Sequence, residues 1–130
     1  MLLVKTKLEP SPVHGIGCFA DQFIPKGTLV RKFMPGFDLE IPKSEVDKLP
    51  DAPRERFLNY AYFFEENNSY FLDFDDERFV NHSDEPNVGP KPSGWEELGE
   101  MYALRDIQIG EEITEDYKEF NDNAYFKIAP

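Results

Sequence analysis

Four groups of residues in this chain have types and spacings that chemistry uses. The first is a glycine pair in His14-Gly15-Ile16-Gly17-Cys18-Phe19-Ala20. Glycine lets a backbone turn tightly or approach another group closely, because no Cβ stands in the way. The spacing also fits G-x-G-x-x-A, but that dinucleotide fingerprint needs a helix to open at the glycines. Here Phe19–Phe23 is β-like and Pro25-Lys26-Gly27 stops any helix, so the glycines read as a tight turn that a ligand can approach. The second group is the amide–imidazole pair Asn81-His82. The third is Glu111, Glu112, Glu115 and Asp116 ahead of Tyr117; their spacing alone fixes no acid–base pair. The fourth is Asp73, Asp75, Asp76 and Glu77. It lacks the glycine and the distal glutamate of a calcium loop, and reads as a solvated acidic turn. Cys18 lies in an apolar strand pattern, where a small buried thiol is the default.

Three segments hold most of these residues: HGIGCFA (His14–Ala20), RFVNHSDEPN (Arg78–Asn87) and ALRDIQIGEEITEDY (Ala103–Tyr117). In this order and spacing they resemble the SET domain, the protein-lysine methyltransferase family. Arg-Phe-hydrophobic-Asn-His-Ser-x-x-Pro-Asn is the most distinctive of them, and Gly-Glu-Glu-Ile-Thr running into Asp116-Tyr117 is nearly as good. CFADQFIPKGTLV also looks like the family's opening hairpin. The resemblance covers roughly Lys5 to Phe120.

The resemblance implies a mainly β fold, a β-clip of several small sheets with one or two short helices. It implies a C-terminal pseudoknot, in which the Asn-His-Ser segment passes beneath a loop of the last motif, an exception to un-knotted topology. It implies S-adenosylmethionine as cofactor and a lysine ε-amine of a protein as methyl acceptor. The cofactor-binding residues carried over are Gly15, Ile16, Gly17, Asn81 and His82; the catalytic residue is Tyr117. Arg78 and Glu112 are expected to brace the pseudoknot. Tyr60, Tyr62, Tyr70 and Phe126 are candidate walls of a lysine channel, with core packing the simpler expectation for each.

Two departures stand out. The position two before the tyrosine is often aromatic in relatives and bears on how many methyls are added; here it is Glu115. Relatives often carry zinc-binding cysteines after Asn-His-Ser, whereas here Ser83 is followed by Asp84 and Cys18 is the only cysteine. No metal is therefore expected, and no disulfide within the chain.

These residues need elements to position them. Eleven prolines and eight glycines punctuate the chain, which predicts short elements. Leu2–Leu8, Cys18–Phe23 and Thr28–Phe33 read as strands, the last two joined at Ile24–Gly27 in a hairpin-like unit. Pro53–Phe64 is the best helix, with Asp51 as cap and Phe57, Tyr60 and Phe64 on one face. Ser69–Phe74, Met101–Asp106 and Ile113–Tyr117 read as further strands. Asp75–Asn87 reads as polar and irregular, and Pro90–Gly94 as a loop. Residues 1–120 are expected to form one SET domain. Residues 121–130 are expected to be a short extension packed on it by its aromatics.

Composition narrows the partners. The net charge is −12, from 26 acidic and 14 basic residues. That disfavours direct nucleic-acid binding, which needs a basic stripe, and an anionic membrane surface. No apolar run approaches a signal peptide core or a membrane span, so a soluble, intracellular protein is expected. Residues 65–130 hold 18 of the acidic groups and five of the basic ones. A basic, lysine-bearing protein segment is the expected partner; an acidic face that aids solubility is the alternative. Two further readings stay open: a non-catalytic SET-like module that binds a basic partner through this acidic half, and an acidic mimic of nucleic acid.

Overall fold

Thr6–Pro10 (β1) and Ile16–Ala20 (β2) pair antiparallel, Thr6 opposite Ala20 and Pro10 opposite Ile16. β2 buries Gly17 through Ala20, so the glycine turn is anchored to the core at one end. The computed structural model describes residues 1–91 and 99–119. The expected extension 121–130, with Tyr125 and Phe126, lies outside the described residues, as does most of the loop expected at Pro90–Gly94.

The hairpin expected across Ile24–Gly27 does not form. The turn is there, with the Thr28 hydroxyl donating to the Pro25 carbonyl at 2.7 Å, but its flanks choose other partners. Leu29–Arg31 (β3) pairs with Met101–Ala103 (β9), which also pairs with Val88–Gly89 (β8). Ile24 exchanges both backbone hydrogen bonds with Ile107, at 2.9 and 2.8 Å. Alternation in a strand specifies its buried face and leaves its partner open.

The best helix is also shorter than expected. After the five-residue helix α1 (Lys43–Asp47), α2 spans Asp51–Tyr60. Pro50, not Asp51, is its N-cap, and Asp51 pairs with Arg54 in the first turn at 2.8 Å. Tyr62–Phe64 (β5) leaves the helix and pairs with Ser69–Leu72 (β6), which pairs in turn with Leu39–Pro42 (β4). Three consecutive aromatics fit a pleated, half-buried surface better than one face of a helix. Asn68, at φ 48°, closes this hairpin.

The last sheet is the smallest: Asn81–His82 (β7) and Thr114–Glu115 (β10), paired in parallel. It brings the middle and last sequence motifs side by side. Asn87, 1% exposed, lengthens it with its side chain. Its amide oxygen accepts from Thr114 N at 2.9 Å and its amide nitrogen donates to the Glu112 carbonyl at 2.8 Å. The fold is thus mostly strands in four small sheets with two short helices among the described residues. One core cluster gathers Cys18, Ile24, Val30, Val80, Met101 and Ile113 beneath these sheets. Among the described residues no helix is long and apolar enough to cross a membrane.

Candidate active site

The three motifs meet at two side chains, Asn81 and Glu112. The Glu112 carboxylate accepts from the Ser11 hydroxyl at 2.7 and 2.8 Å and from Asn81 Nδ2 at 2.9 Å. Asn81 Nδ2 also faces the carbonyls of His14 at 3.0 Å and Ile16 at 3.4 Å. The glycine turn, β7 and the last motif are therefore tied at one point, and Glu112 is the brace expected of it. Arg78 is not: its guanidinium lies over the rings of Tyr60 and Phe79, 5.5 and 6.0 Å from their centroids.

The two glycines differ. Gly15 sits at φ +48°, with nothing within 4 Å of the place a Cβ would occupy, and Ile16 beside it is 52% exposed. A Cβ on Gly17 would stand 2.5 Å from Glu112 Oε2 and 2.9 Å from Ser11 Cβ. Gly17 therefore makes room for the carboxylate that fastens the turn. Gly17→Ala is expected to cost about 1–3 kcal/mol, the usual penalty of overpacking. Denaturant midpoints of the two proteins check this; equal midpoints would show that Glu112 can step aside.

Tyr117 is 8% exposed. Its hydroxyl donates to the Val80 carbonyl, and its backbone N–H donates to His82 Nδ1 at 3.1 Å. The two rings pack with centroids 5.4 Å apart. Because Nδ1 accepts, a neutral His82 carries its proton on Nε2, which lies 3.0 Å from Asp84 Oδ1. Lys118 Nζ reaches the same oxygen at 3.0 Å. The His82 ring is thus engaged in placing Tyr117, and its backbone is paired with Glu115. His82, Asp84 and Asp116 offer donor atoms within 4.8 Å of one another, but they serve as a hydrogen-bonding hub around the Tyr117 backbone. Burial, then the nearby acidic pair Glu115 and Glu77, push the Tyr117 phenol well above its ordinary value. It therefore stays protonated, able to donate to Val80 while its oxygen accepts.

The acidic run 73–77 is the main correction. Asp73 is 0% and Glu77 1% exposed, so this is no solvated turn. Arg31, also 1% exposed, donates to Asp73 through Nε at 2.9 Å and Nη2 at 3.0 Å, and through Nη1 to the Gly99 carbonyl at 3.0 Å. Its Nε lies 3.4 Å from Glu77 Oε1, and its guanidinium sits 5.3 Å from the Tyr62 ring centroid. Asp75 accepts from Leu2 N and Asp76 from the Thr6 hydroxyl, both at 2.8 Å. Buried charges survive when paired and hydrogen-bonded, and an arginine inside the apolar run Thr28–Phe33 was the sequence signal for such a partner.

Of the candidate channel aromatics among the described residues, only Tyr62 reaches this neighbourhood. Its hydroxyl is 3.4 Å from both Glu77 Oε1 and Glu115 Oε2. Tyr70 packs with Phe57 and Phe63 in the second core cluster, Tyr60 meets Phe79 edge to face, and Phe126 lies outside the described residues. Cys18 is fully buried and burial pushes its thiol up, so it is no nucleophile.

Comparison with known proteins agrees with this geometry. The family model for the SET domain matches residues 15–118. The chain is 31% identical over 126 residues to a Dictyostelium discoideum protein named "Histone-lysine N-methyltransferase set1", covering 88% of this chain and 8% of that one. It is 29% identical over 119 residues to a Mycosarcoma maydis protein named "Histone-lysine N-methyltransferase, H3 lysine-4 specific", covering 86% and 8%. The chain thus spans less than a tenth of the length of these curated relatives. Among solved structures, a Plasmodium falciparum chain described as a "putative histone methyltransferase" shares the fold at TM-score 0.60 and 24% identity, with 89% and 95% coverage. A chain of Chaetomium thermophilum Polycomb Repressive Complex 2 does so at TM-score 0.65 and 22% identity, with 92% and 16% coverage. With the glycine turn, the Asn-His-Ser segment and the Glu-Glu to Tyr117 segment joined at Asn81 and Glu112, the chain belongs to the SET-domain family.

Proposed function

We propose that this protein transfers a methyl group from S-adenosylmethionine to a lysine ε-amine of a protein substrate. The observation that carries this reading is the convergence of all three motifs on Asn81 and Glu112, with Tyr117 held beside them by Val80 and His82. The names of the matched relatives, histone-lysine methyltransferases, support the substrate class.

The residues present fit such a cofactor. The backbone at Gly15 is open on its Cβ side and Ile16 is exposed, so a ligand can lie against the turn. Asn81 commits its amide nitrogen to the turn and to Glu112; its Oδ1 takes part in none of those bonds and suits an ammonium donor. His82 would contribute through its backbone, since its ring nitrogens hold Tyr117 and Asp84. The cofactor supplies an electrophilic methyl on a sulfonium.

The protein's part is to deliver a neutral amine in line with that methyl. A free lysine of pKa about 10.4 is only about 0.04% neutral at pH 7. Desolvation beside buried aromatics favours the neutral form, and a phenol oxygen at Tyr117 can accept an amine N–H and aim its lone pair. Holding reacting atoms within about 3–3.5 Å supplies much of the rate.

The acidic half would draw a basic segment toward the site. Asp73, Glu77 and Glu115 are buried and do not contribute to that surface; exposed Asp84 and Glu85 beside His82 do. Incubation with methyl-labelled cofactor and basic proteins is expected to label lysine, with an apparent KM that rises with salt. Calorimetry with S-adenosylmethionine or its demethylated product separates the alternatives. No heat and no label would favour a non-catalytic module that binds a basic partner. A KM indifferent to salt would return the charge to a solubility role. One cysteine without a disulfide partner in the chain suits the intracellular setting we propose.

A further inference from the structure

Three glutamate and tyrosine side chains behind Tyr117 pose a proton-counting problem. The Tyr62 hydroxyl lies 3.4 Å from Glu77 Oε1 and 3.4 Å from Glu115 Oε2. Glu77 and Glu115 are 1% and 0% exposed, and the two carboxyls are also within hydrogen-bonding reach of each other. A phenol has one proton to donate, and an ionised carboxylate has none. Both carboxyls can be bonded to this hydroxyl, or to each other, only if one of them holds a proton. The guanidinium nearby does not remove that need. Arg31 spends Nε and Nη2 on Asp73 and Nη1 on Gly99, and meets Glu77 only at 3.4 Å.

We propose that Glu77 and Glu115 share one proton, and that this buried pair acts through Tyr62 as a positioning element for Tyr117. It rests, for its part in catalysis, on the methyltransferase reading above. Glu115 lies two residues before Tyr117, on the strand that pairs with Asn81-His82. One proton held by the pair keeps a single negative charge behind the phenol. Loss of that proton places two charges there and breaks the hydrogen-bonded arrangement.

Among the described residues, other charged and titratable groups face the pair from the elements packed around it. Arg31 comes from β3, Asp73 follows β6, and Cys18 lies on β2. Asp76, on the same turn as Glu77, faces Cys18, and Glu112 faces Tyr117. The directions agree with sharing. Burial first, then Glu115, raise Glu77 well above its ordinary 4.5, with Arg31 opposing.

The sign of the consequence is fixed. A carboxyl that keeps its proton when folded and releases it when unfolded stabilises the fold at low pH, and that gain is lost as pH rises from the unfolded value toward the folded one. One such proton raises the unfolding constant about tenfold per pH unit across that window. Glu115→Gln supplies a neutral amide that donates to Glu77, so the shared proton is no longer needed; Glu77→Gln does the same for Glu115.

The test has two arms that do not depend on activity. Infrared spectra of the wild-type protein in heavy water at pH 7 are expected to show the carbonyl stretch of a protonated carboxylic acid, absent from both variants. Unfolding constants of wild type between pH 5 and 8 are expected to rise more steeply than those of either variant by about tenfold per pH unit. A missing band in wild type, or parallel slopes, overturns the proposal even if lysine methylation is found. With methylation established, the alkaline limb of log kcat against pH is expected to move in Glu115→Gln. A superimposable limb overturns the positioning role. If no methylation is found while the band and slopes appear, the function reading fails and the shared proton stands.

Discussion

Tyr117→Phe is expected to lower kcat for lysine methylation by about a hundredfold or more while leaving cofactor affinity nearly unchanged. The Tyr117 phenol is buried and placed by two independent anchors. Its hydroxyl is held by Val80 and its backbone by His82. Removing the oxygen leaves the packing of the ring intact and takes away the group proposed to orient the amine. Misplacing a reacting atom by about 1 Å costs about a hundredfold. The same change strips a donor from the Val80 carbonyl, and an unsatisfied buried acceptor costs about 1–3 kcal/mol. Loss of rate therefore has to be read against loss of fold. Calorimetric titration with S-adenosylmethionine makes the distinction: a variant that binds normally and does not turn over has lost the chemistry alone. A kcat within threefold of wild type would remove Tyr117 from the mechanism.

Arg31→Met carries the largest expected effect on stability, about 3–5 kcal/mol, the usual cost of breaking a buried ion pair from one side. Methionine fills most of the volume but leaves Asp73 without its bidentate partner, and Gly99 without a donor. Against a total stability of about 5–15 kcal/mol for a domain, such a loss brings the protein close to unfolding. Urea titration measures it. A second variant tells the ion pair from simple packing. Arg31→Met combined with Asp73→Leu removes both charges, and replacing a buried pair by apolar groups is often neutral. Substantial recovery in the double variant is the expected result. A double variant no better than the single one would place the cost in the lost Gly99 contact and the arginine stem.

Much of the candidate site is legible in the sequence. Asn81, His82, Glu112 and Tyr117 stand in dense local runs, since each run is one short stretch of backbone whose side chains act together. Gly17 was legible as a close approach, though what approaches is Glu112 of the same chain. The short elements were legible from proline and glycine. The strand partners were not: β3 joins β9 and the helix stops at Tyr60, because pairing and termination answer to neighbours distant in the chain. The burial of the run Asp73–Glu77 is hidden from the sequence for the same reason. Its carboxyls look like surface groups until Arg31, from a strand some forty residues earlier, is folded against them.

The sequence by itself determined the family, the mainly β class and the three runs that meet at Asn81 and Glu112, because those rest on local runs of side-chain types. Only the tertiary structure decided what each of them does there. It turned Asn81 toward the glycine turn, set the His82 ring under Tyr117, and buried Glu77 and Glu115 around one hydroxyl. Hydrogen-bond partners and shared protons are properties of groups a few ångströms apart, and in this chain those groups come from separate stretches of the sequence.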